Sequence, residues 1–584
     1  MKLHLPKLLS VAVMASLALP AMGDTLTSDN VVTPEGKTDS YLNVGTGSST
    51  HTWTGDLVVG DTETTQGDVD KIGAFNDAWN FQTPDGKTLY TNNFKVTGNL
   101  TVQGSNGQII LGGQSGSSYT GLQVGGTVTV DAGTLTATKI ITNDLVVNGG
   151  TVSTNTGNCT SGNGYAGGPK QSYIKNSLTL TGGSLSFGYT ANVQGIGGGG
   201  HRMTAFGNSS SFTMNQSGGT MKVYGDMDFK SGSTINQTDN AGLLSLRDTL
   251  YMGGSGTTTF NQSADSAKLV IGRFESTGNV LSNFVFNQSG NGLIHLAYGS
   301  NLYKEGTITL NQTGNGTINI GGGHDTAITG ALPSRGYALN TVDPNVSTTS
   351  FESKNTTYNI DQTGAGTITV KSNATLTANN INVGKDATLN VDGNMTITGK
   401  ASLTGTVNVG ANASFTLAET CDMDVTTDLE LSASNSIKFI VDSATTEGSM
   451  QMTETGNLEF TGGTLELSLT EAALTEMAAE AHKDGKEFHV TLIGNLSDAD
   501  VLELEGIIND KLVLADYLVE LELPTTYALT AQENITIEAH DLIVEDNALK
   551  AMVIATNPNV IPEPATATLS LLALAALAAR RRRR

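Results

Sequence analysis

The chain has 584 residues, 70 of them Gly, with only 15 % charged residues and a formal net charge of −24. Soluble proteins usually carry about 25 % charged residues, and an acidic chain with no basic stripe is not built to hold nucleic acid. Long helical periodicity is almost absent before residue 420, which argues against a compact α/β enzyme.

Residues 1–23 read as a secretory signal peptide. Lys2 and Lys7 supply the positive region, Leu8 to Leu19 the apolar region, and Ala21-Met22-Gly23 a small-x-small cleavage site. Export machinery and signal peptidase are thus the first expected partners, cutting between Gly23 and Asp24. Residues 24–90 contain Trp53, Trp79 and Phe81 with little regularity. They are expected to cap the open end of the repeat region, because a bare sheet edge invites aggregation.

Residues 91–418 repeat, and the rhythm can be traced back to about residue 40. The segments FTMNQSGGTMKV, FVFNQSGNGLIHL, TITLNQTGNGTINI and YNIDQTGAGTITV share an apolar-x-apolar run, Asn-Gln-Ser/Thr, a Gly-rich turn and a second alternating run. The motif begins at Asn215, Asn236, Asn261, Asn287, Asn311 and Asp361, at intervals of 21, 25, 26, 24 and 50. The last interval reads as two periods with a degenerate middle copy. A period of about 25 residues, made of short strands and turns, is the rung of a β-solenoid. Some 15 rungs at ~4.8 Å each predict an elongated body of about 70 Å. Alternation puts Ile308, Leu310, Ile318 and Ile320 inside and Thr309 and Asn319 outside. The asparagines should stack into an amide ladder, each side chain bonding the next.

Residues 419–559 hold 28 of the 55 acids but only five bases. Strand-like pieces alternate there with two helix candidates, Glu471 to His482 after Thr470 and Asp498 to Ile508 after Ser497. The expected fold class is all-β: a β-helix closed by a β-rich, partly α, acidic C-terminal domain. Gly456 to Leu467, GNLEFTGGTLEL, resembles the autotransporter-associated strand repeats of secreted bacterial proteins.

Residues 560–584 carry three elements in order: Pro562-Glu563-Pro564, the apolar run Ala565 to Ala579, and Arg580, Arg581, Arg582, Arg583 and Arg584. Fifteen helical residues rise only ~22 Å against a ~30 Å hydrocarbon core, which suits a transient membrane helix with a basic stop. This tail resembles the PEP-CTERM sorting signal of Gram-negative bacteria. The resemblance implies export, membrane contact before processing, cutting near the motif by an exosortase-type transpeptidase, and placement at the cell envelope, outer surface or matrix. A plain membrane anchor is the alternative. The sorting helix stands where a self-translocating autotransporter would carry a membrane barrel, so that class is not expected.

Little else points to chemistry. Gly195 to Gly200 fits GxGxxG but lacks the strand–turn–helix setting that binds phosphate. His201 and His324 come after glycine runs without a third ligand at metal spacing, and Gly322-Gly323-His324-Asp325 is a single calcium-type turn where tandem copies are needed. Cys159 and Cys421 are expected to be unpaired thiols, with a long-range bridge as the alternative. No cofactor, metal or catalytic residue is expected. Acids such as Asp226, Asp228 and Asp325 do not recur in phase, which favours a structural or adhesive protein meeting glycans or extracellular polymer. A secreted polysaccharide-active β-helix enzyme, lyase or hydrolase, is the alternative.

Overall fold

The structure, a computed structural model, describes residues 25–557 except 82–91, 155–171, 188–202, 206–211, most of 324–350, 442–449, 503–535 and shorter breaks. Strands dominate it throughout. It divides into two compact units, Met1–Leu376 and Thr377–Arg584.

In the first unit each circuit of the chain lays down three short strands. Each strand pairs in parallel with its counterparts one circuit before and after, so the strands form three columns. One circuit comprises Asn93–Val96, Leu100–Val102 and Gln108–Leu111. In the first column Asn93–Val96 lies between Thr50–Trp53 and Leu122–Val124. In the second, Leu100–Val102 lies between Leu57–Val59 and Thr127–Val130. In the third, Gln108–Leu111 lies between Lys71–Gly73 and Thr134–Ala137. This is a parallel β-solenoid.

Period-two alternation explains why these segments are strands and which way they face. Along the second column Leu100, Val102, Val128, Val130, Leu145, Val147, Leu178 and Leu180 are buried, and the residues between them are half-exposed. The corner from second to third column needs a left-handed residue. Gly183 supplies it at φ +68°, and a Cβ there would stand 2.4 Å from the Gly150 carbonyl oxygen one circuit earlier. Farther along, Phe260 and Phe286 stack at 4.8 Å with their planes 10° apart, and Phe274 meets Phe284 at 5.0 Å. Each buried phenyl contributes roughly 2–3 kcal/mol by leaving water.

The ladder already includes Thr25–Leu26, paired with Thr50–Trp53. The same N-terminal segment covers part of its own edge: Val31–Val32 lies antiparallel on Tyr41–Asn43. Asp70, only 5 % exposed, ties this cover down. Its Oδ2 accepts from the Ser40 amide at 2.7 Å and hydroxyl at 3.1 Å, and its Oδ1 accepts from Asn106 Nδ2 at 2.7 Å.

One expectation about the repeat needs correction. The 50-residue interval from Asn311 to Asp361 is a single circuit, because Leu293–Gln312 pairs directly with Phe351–Gln362, placing Asn311 beside Asp361 and Gln312 beside Gln362. There is no degenerate middle copy. Extra chain enters at a corner, where the ladder does not restrict length. For the same reason the circuit shrinks to 17 residues between Val130 and Val147.

The second unit is built alike. Lys400–Leu403, Asp422–Val425 and Met450–Met452 form one parallel ladder, and Asn394–Ile397, Ser414–Leu417, Ser436–Val441 and Thr464–Leu469 another. The acidity that begins at residue 419 therefore sets in partway along continuous ladders. Parallel stacking then gives way to a helix, α1 (Glu471–Ala479), which buries Ala473, Leu474, Met477 and Ala478. It is shorter than the expected span to His482, which lies outside the described residues. Of the second helix candidate only Asp498, Val501 and Leu502 are described, all helical. The last described element is an antiparallel sheet of Lys486–Gly494, Ala548–Thr556 and Thr536–Glu545. Asp546 and Asn547, at φ 54° and 55°, form the two-residue left-handed turn favoured in hairpins.

Candidate functional site: the amide ladders of the second column

The Asn-Gln-Ser/Thr motif ends each second-column strand from Thr213–Gln216 to Phe351–Gln362. Register sets Asn215, Asn236, Asn261, Asn287, Asn311 and Asp361 side by side, and with them Gln216, Gln237, Gln262, Gln288, Gln312 and Gln362. Successive residues face opposite ways, so one row points out and the other into the core.

Outside, the asparagines form a ladder. Asn236 Nδ2 donates to Asn215 Oδ1 at 2.8 Å, Asn261 to Asn236 at 2.9 Å, Asn287 to Asn261 at 2.8 Å and Asn311 to Asn287 at 2.8 Å. Asp361 stands next in register, but a carboxylate has no proton to give Asn311 Oδ1, so the donor chain stops there.

Inside runs a second ladder, which the sequence pattern alone did not disclose. Gln237 Nε2 donates to Gln216 Oε1 at 2.9 Å, Gln262 to Gln237 at 3.0 Å, Gln288 to Gln262 at 2.9 Å, Gln312 to Gln288 at 2.6 Å and Gln362 to Gln312 at 2.8 Å. All six glutamines are at most 1 % exposed. The second N–H of Gln288, Gln312 and Gln362 goes to the carbonyl of Gly292, Gly316 and Gly366, at 2.9, 2.9 and 2.8 Å. Burying an amide is costly unless its groups are paired, and this arrangement pairs both donors. It also explains the glycine four residues on: a Cβ at Gly316 would stand 2.7 Å from Gln288 Cδ, and one at Gly366 2.4 Å from Gln312 Cδ. Parity was the available signal, since Gln288 stands two residues after Phe286 and four after Phe284.

Beside the asparagines the outward row reads Thr213, Thr234, Thr259, Val285 and Thr309, all half-exposed. From Thr213 to Asn311 this two-row face carries no charge. One circuit beyond, in the core, Tyr358 hydrogen-bonds Ser300 Oγ at 3.2 Å; burial pushes its phenol far up, opposed by the Ser300 bond, and keeps it neutral.

In the first column of the same unit two acids stand in one register row. Asp228, Tyr251 and Glu275 occupy consecutive positions, and Arg273 Nη2 is 2.9 Å from Glu275 Oε1. Lys222 and Lys268 fall in different rows of the third column. Among the described residues no three His, Cys, Asp or Glu side chains are placed to hold a metal, and no helix is long and apolar enough to cross a membrane. Gly23, Asp24, Asp226, Pro562, Glu563, Pro564 and Arg580 to Arg584 lie outside the described residues, as do Cys159, Cys421, Gly195 to Gly200, His201, His324, Asp325 and Trp79.

No protein-family model matches the chain, and no curated protein or solved structure matches it either.

Proposed function

We propose that this chain is an exported structural or adhesive solenoid, carried to the outer surface or matrix of a Gram-negative cell and trimmed at its C-terminal signal by an exosortase-type transpeptidase. The observation that carries the adhesive part is the uncharged, half-exposed Thr/Asn face, repeated circuit after circuit on a ladder-stiffened column. Single contacts to such a face are weak, and repetition along the column raises their combined strength. The terminal signals carry the sorting part. Removing the seven bases of the two ends leaves 24 bases against 55 acids, a charge that keeps an exported chain dispersed.

Intact-mass and terminal-peptide analysis of surface-exposed protein tests the proposal. The expected chain starts at Asp24 and lacks Arg580 to Arg584; surface protein that retains the arginine run would refute the sorting signal.

A polysaccharide-active enzyme is the second reading, favoured by the register of Asp228, Tyr251 and Glu275. The two acids stand two strands apart, which sets their backbones about 9.6 Å from each other, on the scale of the ~6.5–9.5 Å carboxyl separation of inverting glycosidases. Incubation with neutral and acidic polysaccharides separates the readings. Reducing-end release that disappears in Asp228→Asn would establish the enzyme.

A further inference from the structure

The second-column face is chemically specific about its occupant. Thr213, Thr234, Thr259 and Thr309 form one row and Asn215, Asn236, Asn261, Asn287 and Asn311 the next. Strand pairing repeats each row every ~4.8 Å, and the rows stand ~6.7 Å apart because they are two residues apart along each strand. The ladder holds the amides in one orientation, as each Nδ2 from Asn236 to Asn311 spends one proton on the preceding Oδ1. Its other N–H, and the second lone pair of each Oδ1, have no hydrogen-bond partner among the described residues. Each circuit therefore offers one amide donor and one amide acceptor, and in four of these five circuits a threonine hydroxyl, with no side-chain entropy left to lose on the amide.

Charge narrows the choice of ligand. The face has no cation to hold a carboxylate, sulfate or phosphate, and a chain of −24 repels polyanions. It also presents no basic group for nucleic acid and no aromatic platform for isolated sugars. A linear polymer with hydroxyls at a regular pitch, and without charge, satisfies the rows. We propose that the Thr/Asn face binds a neutral linear polysaccharide laid along the column, about one sugar per circuit. This rests on the adhesive reading above and names its ligand class and place. Each hydrogen bond contributes about 0.5–1.5 kcal/mol net, so several circuits must engage together for useful affinity.

The test is retention of the purified exported chain on insoluble neutral β-linked glucan and on chitin, with alginate as the polyanion. Thr234→Glu with Thr309→Glu places two charges on the face. Thr317→Glu with Thr367→Glu places the same charge on the outward side of the third column, where both threonines are half-exposed. Retention on a neutral polymer is expected, weakened about tenfold or more by the first pair and less than about twofold by the second. Thr259→Val, which removes one hydroxyl at constant shape, should cost about threefold and guards against misfolding of the charged pair. Failure to bind either neutral polymer, preference for alginate, or equal loss in both pairs would overturn the inference. Surface exposure is measured separately by peptide mass analysis. A trimmed, surface-exposed chain that ignores neutral polysaccharide sinks the ligand and leaves the sorting reading intact.

Discussion

Within one column the solenoid solves the same packing problem twice. At the last inward position of the second column, the early circuits place Val102, Val130, Val147 and Leu180, and the later ones Gln216 to Gln362. Both sets are buried to within 1 %. The aliphatic set holds by non-directional burial and tolerates changes in volume that leave its shape. The glutamine set holds by directed bonds that join each circuit to the next, so its members cannot be replaced singly. The corners differ to match. A left-handed glycine such as Gly183 or Gly219 turns the circuits up to Gln216, whereas the last three glutamine circuits carry glycine at Gly292, Gly316 and Gly366, where the neighbouring amide leaves no room for a Cβ. Polar ladders thus trade tolerance for register, since a one-residue slip would carry every glutamine to the outside.

Breaking the glutamine ladder at its middle should produce the largest effect. Gln288→Ala strands Gln262 Oε1, Gln312 Nε2 and the Gly292 carbonyl in the core, and a loss of about 3–5 kcal/mol in unfolding free energy is expected from denaturant titration. Val147→Ala, the aliphatic counterpart, should cost about 2–3 kcal/mol, because only packing is lost. Equal costs would mean that the amide bonds add nothing to specificity. Gly316→Ala tests the corner: its new methyl meets the Gln288 amide, and a loss of about 2 kcal/mol is expected in the same titration. Asp361→Asn sharpens the comparison in the opposite direction. It extends the outer ladder by one donor to Asn311 Oδ1 and should stabilise by about 0.5–1 kcal/mol.

The smallest effect lies in the second unit, where Glu545 accepts from His489 at 2.8 Å and from Lys550 at 3.4 Å. These bonds hold its carboxyl below the usual range. A depressed carboxylate stabilises above its unfolded pKa and loses that contribution as pH falls through the folded value. Melting of the Thr536–Glu545 hairpin should therefore ease slightly below about pH 4.5, and Glu545→Gln should flatten that slope.

Much of the column was legible in the sequence. The Asn-Gln-Ser/Thr spacing and strict alternation around Ile308 and Leu310 mark a stacked repeat and place Asn outside. Three things were not legible. The buried row of glutamines runs against the polarity of its side chains, and only parity with Phe284 and Phe286 marks it as inward. The 50-residue interval looked like two circuits, because spacing alone cannot tell a lost copy from a corner insertion. The change in charge at residue 419 looked like a change of fold, yet backbone ladders pair Lys400–Leu403 with Asp422–Val425 across it, because ladder bonds join main-chain groups whatever the charge of the sequence.

The glutamine ladder fixes register only as a continuous, buried hydrogen-bonded chain, and that continuity is measurable. Side-chain amide hydrogen exchange, read by NMR on glutamine- and asparagine-labelled protein, reports it directly. Both Nε2 protons of Gln288 and Gln312 should exchange only with global opening of the solenoid, while the outward Asn261 and Asn287 amides each keep a fast-exchanging proton. Glutamine amides exchanging as fast as the asparagines would contradict it.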